Sequence, residues 1–378
     1  MRQTARITSH NPTVAEVDLG AFHENVRNIK KRIHDDSMLM AVIKTNAYGH
    51  GVVPIGKEAV KAGADRLGVT AVEEGAALRE SGVDVPIHLL GSITFEQAGD
   101  VIEYELTPFV ASTELAKTIS AEAIKRNVTL PLHVKMDTGL HRFGMEPGEV
   151  LSFCETCYDL PGISWEGIYT HFSSADEGEW EKTEQEYQLF HDTVAELESN
   201  GFHFPIKHVA ASTITLERQD MHLGMVRPGI ALFGYAPAPR QRKMVRLKPV
   251  MRLRSKLVRV RELPPETPVG YGGSYVTKKK EKIAVVPIGL GDGYHLALSN
   301  KGQMLVRGQR AGIVGSISLD QTLIDVTNID GVSEGDEVIV MGRQGDNEIL
   351  APQIADWMGS NVDEVLASLM MRVQREYI

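Results

Sequence analysis

The sequence predicts an α/β protein: an N-terminal (β/α)8 TIM-like barrel over residues 12–240, followed by a C-terminal mostly-β domain over 241–378. Three observations carry this. From residue 14 to about 235, short apolar runs alternate with amphipathic helical patterns, the rhythm of β-α-β units around a parallel sheet. Eight such runs occur, and eight is the number that closes a barrel. After residue 240 the texture changes to short Val/Ile-rich runs separated by Gly, Pro and Asp, which reads as an all-β module. An open doubly wound sheet is the competing architecture for the first part, because strand count does not distinguish open from closed.

The candidate barrel strands are 38–44, 66–70, 86–91, 106–110, 130–137, 163–171, 205–210 and 223–227. Between them, residues 18–33 set Leu19, Phe22, Val26, Ile29 and Ile33 on one helical face, with Asp18 placed as N-cap. Residues 181–199 do the same through Tyr187, Phe190, Val194 and Leu197, and stop at Asn200-Gly201. In the second domain the strand candidates are 256–261, 283–288, 304–306, 311–317, 322–327 and 337–341, closed by a helical tail at 351–371. A strand within residues 1–11 is expected to pack with this domain. The basic cluster Arg240, Arg242, Lys243, Arg246 and Lys248 reads as a solvated interdomain linker.

A net charge of −10 and a pI near 5.7 argue against nucleic acid or an anionic membrane as partner. The opening residues Met1-Arg2-Gln3-Thr4-Ala5-Arg6 lack the apolar core of a signal peptide, and no apolar run is long enough to span a bilayer, so a cytoplasmic protein is expected. The two cysteines, Cys154 and Cys157, have too few soft ligands nearby for zinc and read as ordinary helix residues. His203 and His208 have no partners at metal-like spacing, and no metal is expected. The acidic stretch Asp176 to Glu186 reads as a solvated loop entering a helix. Gly289-Leu290-Gly291-Asp292-Gly293 lacks dinucleotide-loop spacing and reads as a turn.

The chemistry centres on Val42-Ile43-Lys44-Thr45-Asn46-Ala47-Tyr48-Gly49-His50-Gly51. Lys44 stands at the carboxyl end of a buried strand, where barrel enzymes keep their functional groups. One reading is a lysine snorkelling to solvent. The other is a Schiff-base lysine, since partial desolvation lowers an amine's pKa and makes it nucleophilic. Further along, Arg227-Pro228-Gly229-Ile230 follows the eighth strand and opens a short helical stretch whose backbone N–H groups attract phosphate. Ser212 can add a hydroxyl donor or serve as a plain helix N-cap.

The lysine decamer closely resembles the pyridoxal-phosphate (PLP) motif of the alanine racemases, with Lys44 at the cofactor position and Tyr48 beside it. The likeness runs from Glu16-Val17-Asp18-Leu19 to the terminal helix. It implies that Ser212, Gly229 and Ile230 contact the phosphate and that Arg227 faces the ring nitrogen, which an arginine leaves unprotonated. Val269-Gly270-Tyr271-Gly272-Gly273-Ser274-Tyr275 could be no more than a glycine-rich hairpin, but it resembles the racemase motif whose first tyrosine, here Tyr271, is catalytic. Racemisation needs a proton acceptor on one face of the substrate and a donor on the other, hence two bases. A tyrosine with an ordinary pKa of about 10 is a poor base, and His171 matches the histidine that stabilises its anion. Lys135-Met136-Asp137-Thr138-Gly139-Leu140-His141-Arg142 resembles the fifth-strand motif, with Arg142 gripping the substrate carboxylate and Lys135 at a lysine that some members carbamylate to orient it. Leu319 stands where a methionine's backbone N–H usually meets the substrate, and Asp320 supports the site. The resemblance implies a head-to-tail homodimer, with Tyr271 completing the partner's site, and a PLP-dependent interconversion of L- and D-alanine by Lys44 and Tyr271 that supplies peptidoglycan. Leu290 and Met371 replace tyrosines of the entrance and tail, which keeps open a broad-specificity racemase for serine, lysine or others. A non-catalytic PLP carrier would not need the β module.

Overall fold

The structure is a computed structural model, and residues 11–378 are described. The chain forms two compact units. One is Leu19–Lys248; the other takes Pro249–Ile378 together with the described residues up to Asp18. The strand expected within residues 1–11 lies outside the described residues but for its last position.

Leu19–Lys248 is a parallel barrel. Its strands are β1 (Met38–Val42), β2 (Arg66–Val69), β3 (Ile87–Leu89), β4 (Leu106–Val110), β5 (Leu130–Lys135), β6 (Ile163–Tyr169), β7 (Ile206–His208) and β8 (Met225–Val226). Neighbours in this order pair in parallel from β1 to β7, and β8 pairs with β1 through Met38↔Met225 and Leu39↔Val226. The bridge Ala210↔Val226 joins the chain just beyond β7 to β8, and Arg227 N–H donates to the Ala210 carbonyl at 2.7 Å. These contacts close the sheet and remove the open-sheet alternative. Each strand sits where its apolar run predicts. Most end one or two residues early, because the last residues of each run belong to the loops that follow.

The helices cover the outside. Leu19–Lys30 buries Phe22, Val26 and Ile29, and Trp180–Ser199 buries Phe190, Val194 and Leu197, as the 3.6-residue spacing requires. The acidic stretch departs from expectation at its end: Glu186 is buried and accepts from Ser173 N–H at 2.9 Å and from the Ser173 hydroxyl. It anchors the loop after β6 instead of facing water.

The second unit is built on a largely antiparallel sheet that runs from Arg259–Leu263 at one edge to Gln374–Tyr377 at the other. Val14–Val17 joins it, antiparallel to Met251–Lys256 and parallel to Gln374–Tyr377. The run expected at 256–261 straddles two strands, Met251–Lys256 and Arg259–Leu263, because Leu257 and Val258 turn to bond Asp336 and Val285 carbonyls. The helical tail is two helices, Ala351–Met358 and Val362–Ala367, interrupted at Gly359 with φ +70°. The Asn361 side chain caps the second by accepting from Glu364 N–H at 2.9 Å.

Candidate active site at the carboxyl end of the barrel

Immediately after β1 the backbone does something costly. Thr45, Asn46, Ala47 and Tyr48 all lie in the left-handed region, with φ of 55°, 52°, 54° and 51°. L-residues disfavour this by roughly 1–2 kcal/mol each, so the turn must be held from outside. Asn46 N–H donates to Glu74 Oε1 at 2.7 Å, and Asn46 Oδ1 accepts from Val52 N–H at 2.9 Å. His50 Nδ1 lies 2.9 Å from both the Ala47 and Tyr48 carbonyl oxygens. Phe233 packs against the Tyr48 and His50 rings at centroid distances of 4.8 and 4.6 Å. Strain of this kind gathers where geometry matters for function, and here it fixes the base of Lys44.

Tyr48 ends the turn, and its hydroxyl reaches the loop after β8. A Cβ placed on Gly229 would stand 2.5 Å from Tyr48 Oη, so only glycine permits this approach. Gly229 N–H donates to Ser212 Oγ at 2.9 Å. Ser212 is the first residue of the helix Ser212–Glu217, not its N-cap, and Ile230 opens a single 3-10 turn, Ile230–Phe233, in place of a longer helix. Two hydroxyls thus gather at the Gly229 backbone.

Arg227, two residues before Gly229, is buried. Its Nη1 donates to His208 Nδ1 at 2.8 Å, and its Nη2 to the Thr170 and Val209 carbonyls at 2.8 and 3.3 Å. None of these bonds uses Nε. Burial lowers the guanidinium's pKa to about 10, still high enough to keep its charge at neutral pH.

Lys135, at the end of β5, is also buried. Its Nζ lies 4.9 Å from the Tyr169 ring centroid and 5.4 Å from that of Phe109. Burial, then the cations of Arg227 and Arg142, push its pKa down to about 7. His171, half-buried just after β6, is held well below the usual histidine range by burial and by Arg227, Lys135, Arg142 and Lys44. These mutual effects put Lys44, Lys135, Arg142, His171 and Arg227 in one electrostatic neighbourhood. Arg142 itself is exposed. The loop before it is fixed by Asp137, whose Oδ1 accepts from the N–H groups of Gly139, Leu140 and His141 at 2.9, 3.0 and 3.1 Å. Burial opposes the Asp137 charge, but those three donors outweigh it and keep its carboxyl below the usual range.

The second unit carries the remaining predicted residues. Tyr271, at the tip of a hairpin pairing Pro268 with Val276, is 75% exposed, and Leu319 is 66% exposed. Asp320, Met371 and Leu290 are exposed.

Sequence reasoning missed several groups. Glu74 and His50 pin the Lys44 turn, and nothing in their local pattern signals it. His208 was set aside for want of sequence partners, yet three-dimensional partners exist. His88, His133 and Glu166 bring their ligand atoms within 4.8 Å of one another. Arg66 occupies that cluster with two bonds to Glu166, at 2.7 and 2.9 Å, so a guanidinium already supplies the positive charge a metal would bring. The two cysteines are buried, free helix residues on Pro147–Cys157.

Comparison with known proteins defines the class. Residues 17–237 match the alanine racemase N-terminal domain family and residues 250–377 the alanine racemase C-terminal domain family. The chain therefore belongs to the alanine racemase family. It is 40% identical over 372 residues to the alanine racemase of Halothermothrix orenii, covering 98% of each chain. It is 38% identical to that of Desulfovibrio desulfuricans, covering 98% of this chain and 100% of the relative. Among solved structures it resembles alanine racemase from Clostridium difficile, with TM-score 0.93, 34% identity and coverage of 98% and 96%. It also resembles that of Bartonella henselae with covalently bound pyridoxal phosphate, with TM-score 0.88, 26% identity and coverage of 97% and 99%.

Proposed function

We propose that this chain is a PLP-dependent alanine racemase that interconverts L- and D-alanine. The observation that carries the reading is the gathering, at one end of the barrel, of an amine, a hydroxyl-lined phosphate cradle and a charged arginine. The residues fit the cofactor on their own chemistry. Gly229 lacks the Cβ that would fill the cradle, Tyr48 and Ser212 offer hydroxyl donors, and the Arg227 Nε–H can meet the ring nitrogen. Lys44 would hold the cofactor covalently, and Ile230 adds a backbone contact. When bound, PLP acidifies the substrate's α-proton by delocalising the electrons left behind.

The rest is the work of this chain's side chains. Arg142, exposed beside Lys135, grips the substrate carboxylate with its planar fork, and Lys135 orients it. Lys44 moves a proton at one face of the α-carbon and Tyr271 at the other. His171, kept neutral, can donate an N–H to the Tyr271 oxygen when that oxygen carries charge. The exposure of Tyr271, Leu319 and Asp320 supports a head-to-tail homodimer in which these residues serve the partner's site: Tyr271 as base, the Leu319 backbone as substrate contact, Asp320 as support. The chain passes from one compact unit to the other at Lys248–Pro249, where the sequence reading sets the division at residue 240; a cytoplasmic location belongs to the same reading. Among the described residues no helix is long and apolar enough to cross a membrane.

The test is α-proton exchange in deuterium oxide with purified holoenzyme and a panel of L-amino acids, with optical rotation followed in parallel. Exchange and loss of rotation concentrated on alanine support the reading. Comparable rates on serine or lysine would transfer it to a broad-specificity racemase, and no exchange on any member would overturn it. Tyr271→Phe is expected to keep the cofactor's absorption band and lose about 10²–10⁴-fold in racemisation.

A further inference from the structure

The interior of such a barrel is normally filled by layers of branched apolar side chains. Here one layer is polar. Arg66 from β2, His88 from β3, His133 from β5, Glu166 from β6 and His208 from β7 meet across the barrel. Arg66 and Glu166 sit on strands that are not neighbours, so their two bonds must cross the interior. Burying two ions and three imidazoles is expensive unless every group is satisfied, and an apolar layer would fill the same space at lower cost.

The hydrogen bonds form a chain. Arg227 Nη1 lies 2.8 Å from His208 Nδ1, His208 Nε2 lies 2.9 Å from His133 Nδ1, and His133 Nε2 lies 3.1 Å from Glu166 Oε2. Its direction is forced at both ends. An arginine can only donate and an ionised carboxylate can only accept. Glu166 stays ionised because His133 and Arg66 outweigh the opposing effect of burial, while burial keeps both histidines neutral. A neutral imidazole donates once and accepts once. So Arg227 donates to His208, His208 donates from Nε2 to His133, and His133 donates from Nε2 to Glu166. The chain's geometry is built in: a Cβ on Gly167 would stand 2.4 Å from His133 Cε1 and 2.6 Å from its Nδ1, so β6 carries glycine where the His133 ring must lie. The Tyr169 ring stacks on His208 at 4.6 Å and 8°, which fixes the other imidazole.

We propose that Glu166, His133 and His208 are positioning residues for Arg227: one directed relay places a carboxylate's charge behind the guanidinium and leaves its Nε–H outside these bonds, as the donor available to the cofactor. This rests on the proposed function insofar as Arg227 faces PLP; the relay itself does not.

Two measurements test it, and they fail separately. In the cofactor-free protein, imidazole nitrogen and carbon NMR shifts should show His133 and His208 as Nε2–H tautomers. An Nδ1–H tautomer at either would overturn the relay whatever the enzyme does. In PLP-loaded protein, Glu166→Gln removes the charge and keeps the shape. It should shift the bound cofactor's absorption maximum and lower kcat about tenfold with KM for alanine nearly unchanged. An unchanged absorption maximum and kcat in a folded Glu166→Gln protein would reduce the layer to a structural role. Gly167→Ala would drive a methyl group against the His133 ring and the Ile206 carbonyl, which stands 2.7 Å from the added Cβ; in a folded Gly167→Ala protein the absorption maximum should move in the same sense, and no movement would count against the relay. Wild-type protein without racemase activity but with both Nε2–H tautomers would overturn the functional reading and spare the relay.

Discussion

At the scale of single residues, Lys135 makes the sharpest demand. Its amine is buried among aromatic rings, and that burial together with the cations of Arg227, Arg142 and Lys44 outweighs the Asp137 carboxylate, which is why its pKa falls to about 7. An unfolded lysine titrates near 10.4, so between these values the unfolded chain binds a proton that the folded chain does not. Stability contributed through Lys135 therefore rises as pH climbs from about 7 to about 10, and the penalty for its buried charge is full below 7. Lys135→Met should stabilise the cofactor-free protein most at pH 6, by on the order of a few kcal/mol and read as a higher melting temperature, and the gain should shrink towards pH 10. A gain that is constant across that range would mean the ammonium is not penalised. Residues of this kind were only partly legible in the sequence. Lys44, Arg142 and Arg227 stand out as candidates in the sequence because each sits in a stereotyped local motif. Glu166 and His133 do not, because their meaning lies in partners on other strands.

At the scale of elements, the strands were legible and the turns were not. An apolar run bounded by polar residues needs only burial on both faces to become a barrel strand, and β1 to β8 follow from that alone. The left-handed turn at Lys44–Tyr48 goes against the preferences of Thr, Ala and Tyr; Asn46 and His50 brace it from within the segment, and Glu74 holds it from another element. Glu74 is the main clamp. One oxygen accepts from Asn46 N–H at 2.7 Å, and the other from Thr70 and Ala71 N–H at 3.1 and 3.2 Å. A glutamine there is the same size but turns an NH2 towards backbone donors. Glu74→Gln should cost about 1–3 kcal/mol of stability, read from denaturant unfolding, and should weaken cofactor retention because Lys44 and Tyr48 sit at the two ends of the freed turn. Retention at the wild-type level with a loosened turn would show that the clamp serves stability alone. The same reasoning explains the tail, where 351–371 reads as one helix by composition. Gly359 in the left-handed region stops the first helix, and Asn361 starts the second.

At the scale of the whole molecule, the division of labour between the units decides the last prediction. The barrel unit holds Lys44 and the Tyr48 and Ser212 hydroxyls beside Gly229, and the β unit holds Tyr271, exposed on a short hairpin. In a head-to-tail dimer each site takes its lysine from one chain and its tyrosine from the other, an arrangement that a closed two-fold assembly permits. Lys44→Ala and Tyr271→Phe homodimers should each be inactive. When the two proteins are mixed and allowed to exchange subunits, half the dimers are hybrids, and each hybrid has one site with both residues intact and one with neither. Activity should return to about a quarter of the wild-type value, the share of intact sites in a randomly exchanged two-fold dimer. If Tyr271 served the site of its own chain, no hybrid would contain an intact site and mixing would restore nothing. Subunit exchange must be shown independently, by mass-tagged subunits appearing in mixed dimers. With exchange shown, recovery places Tyr271 across the interface, and its absence places the second base within the chain that carries Lys44.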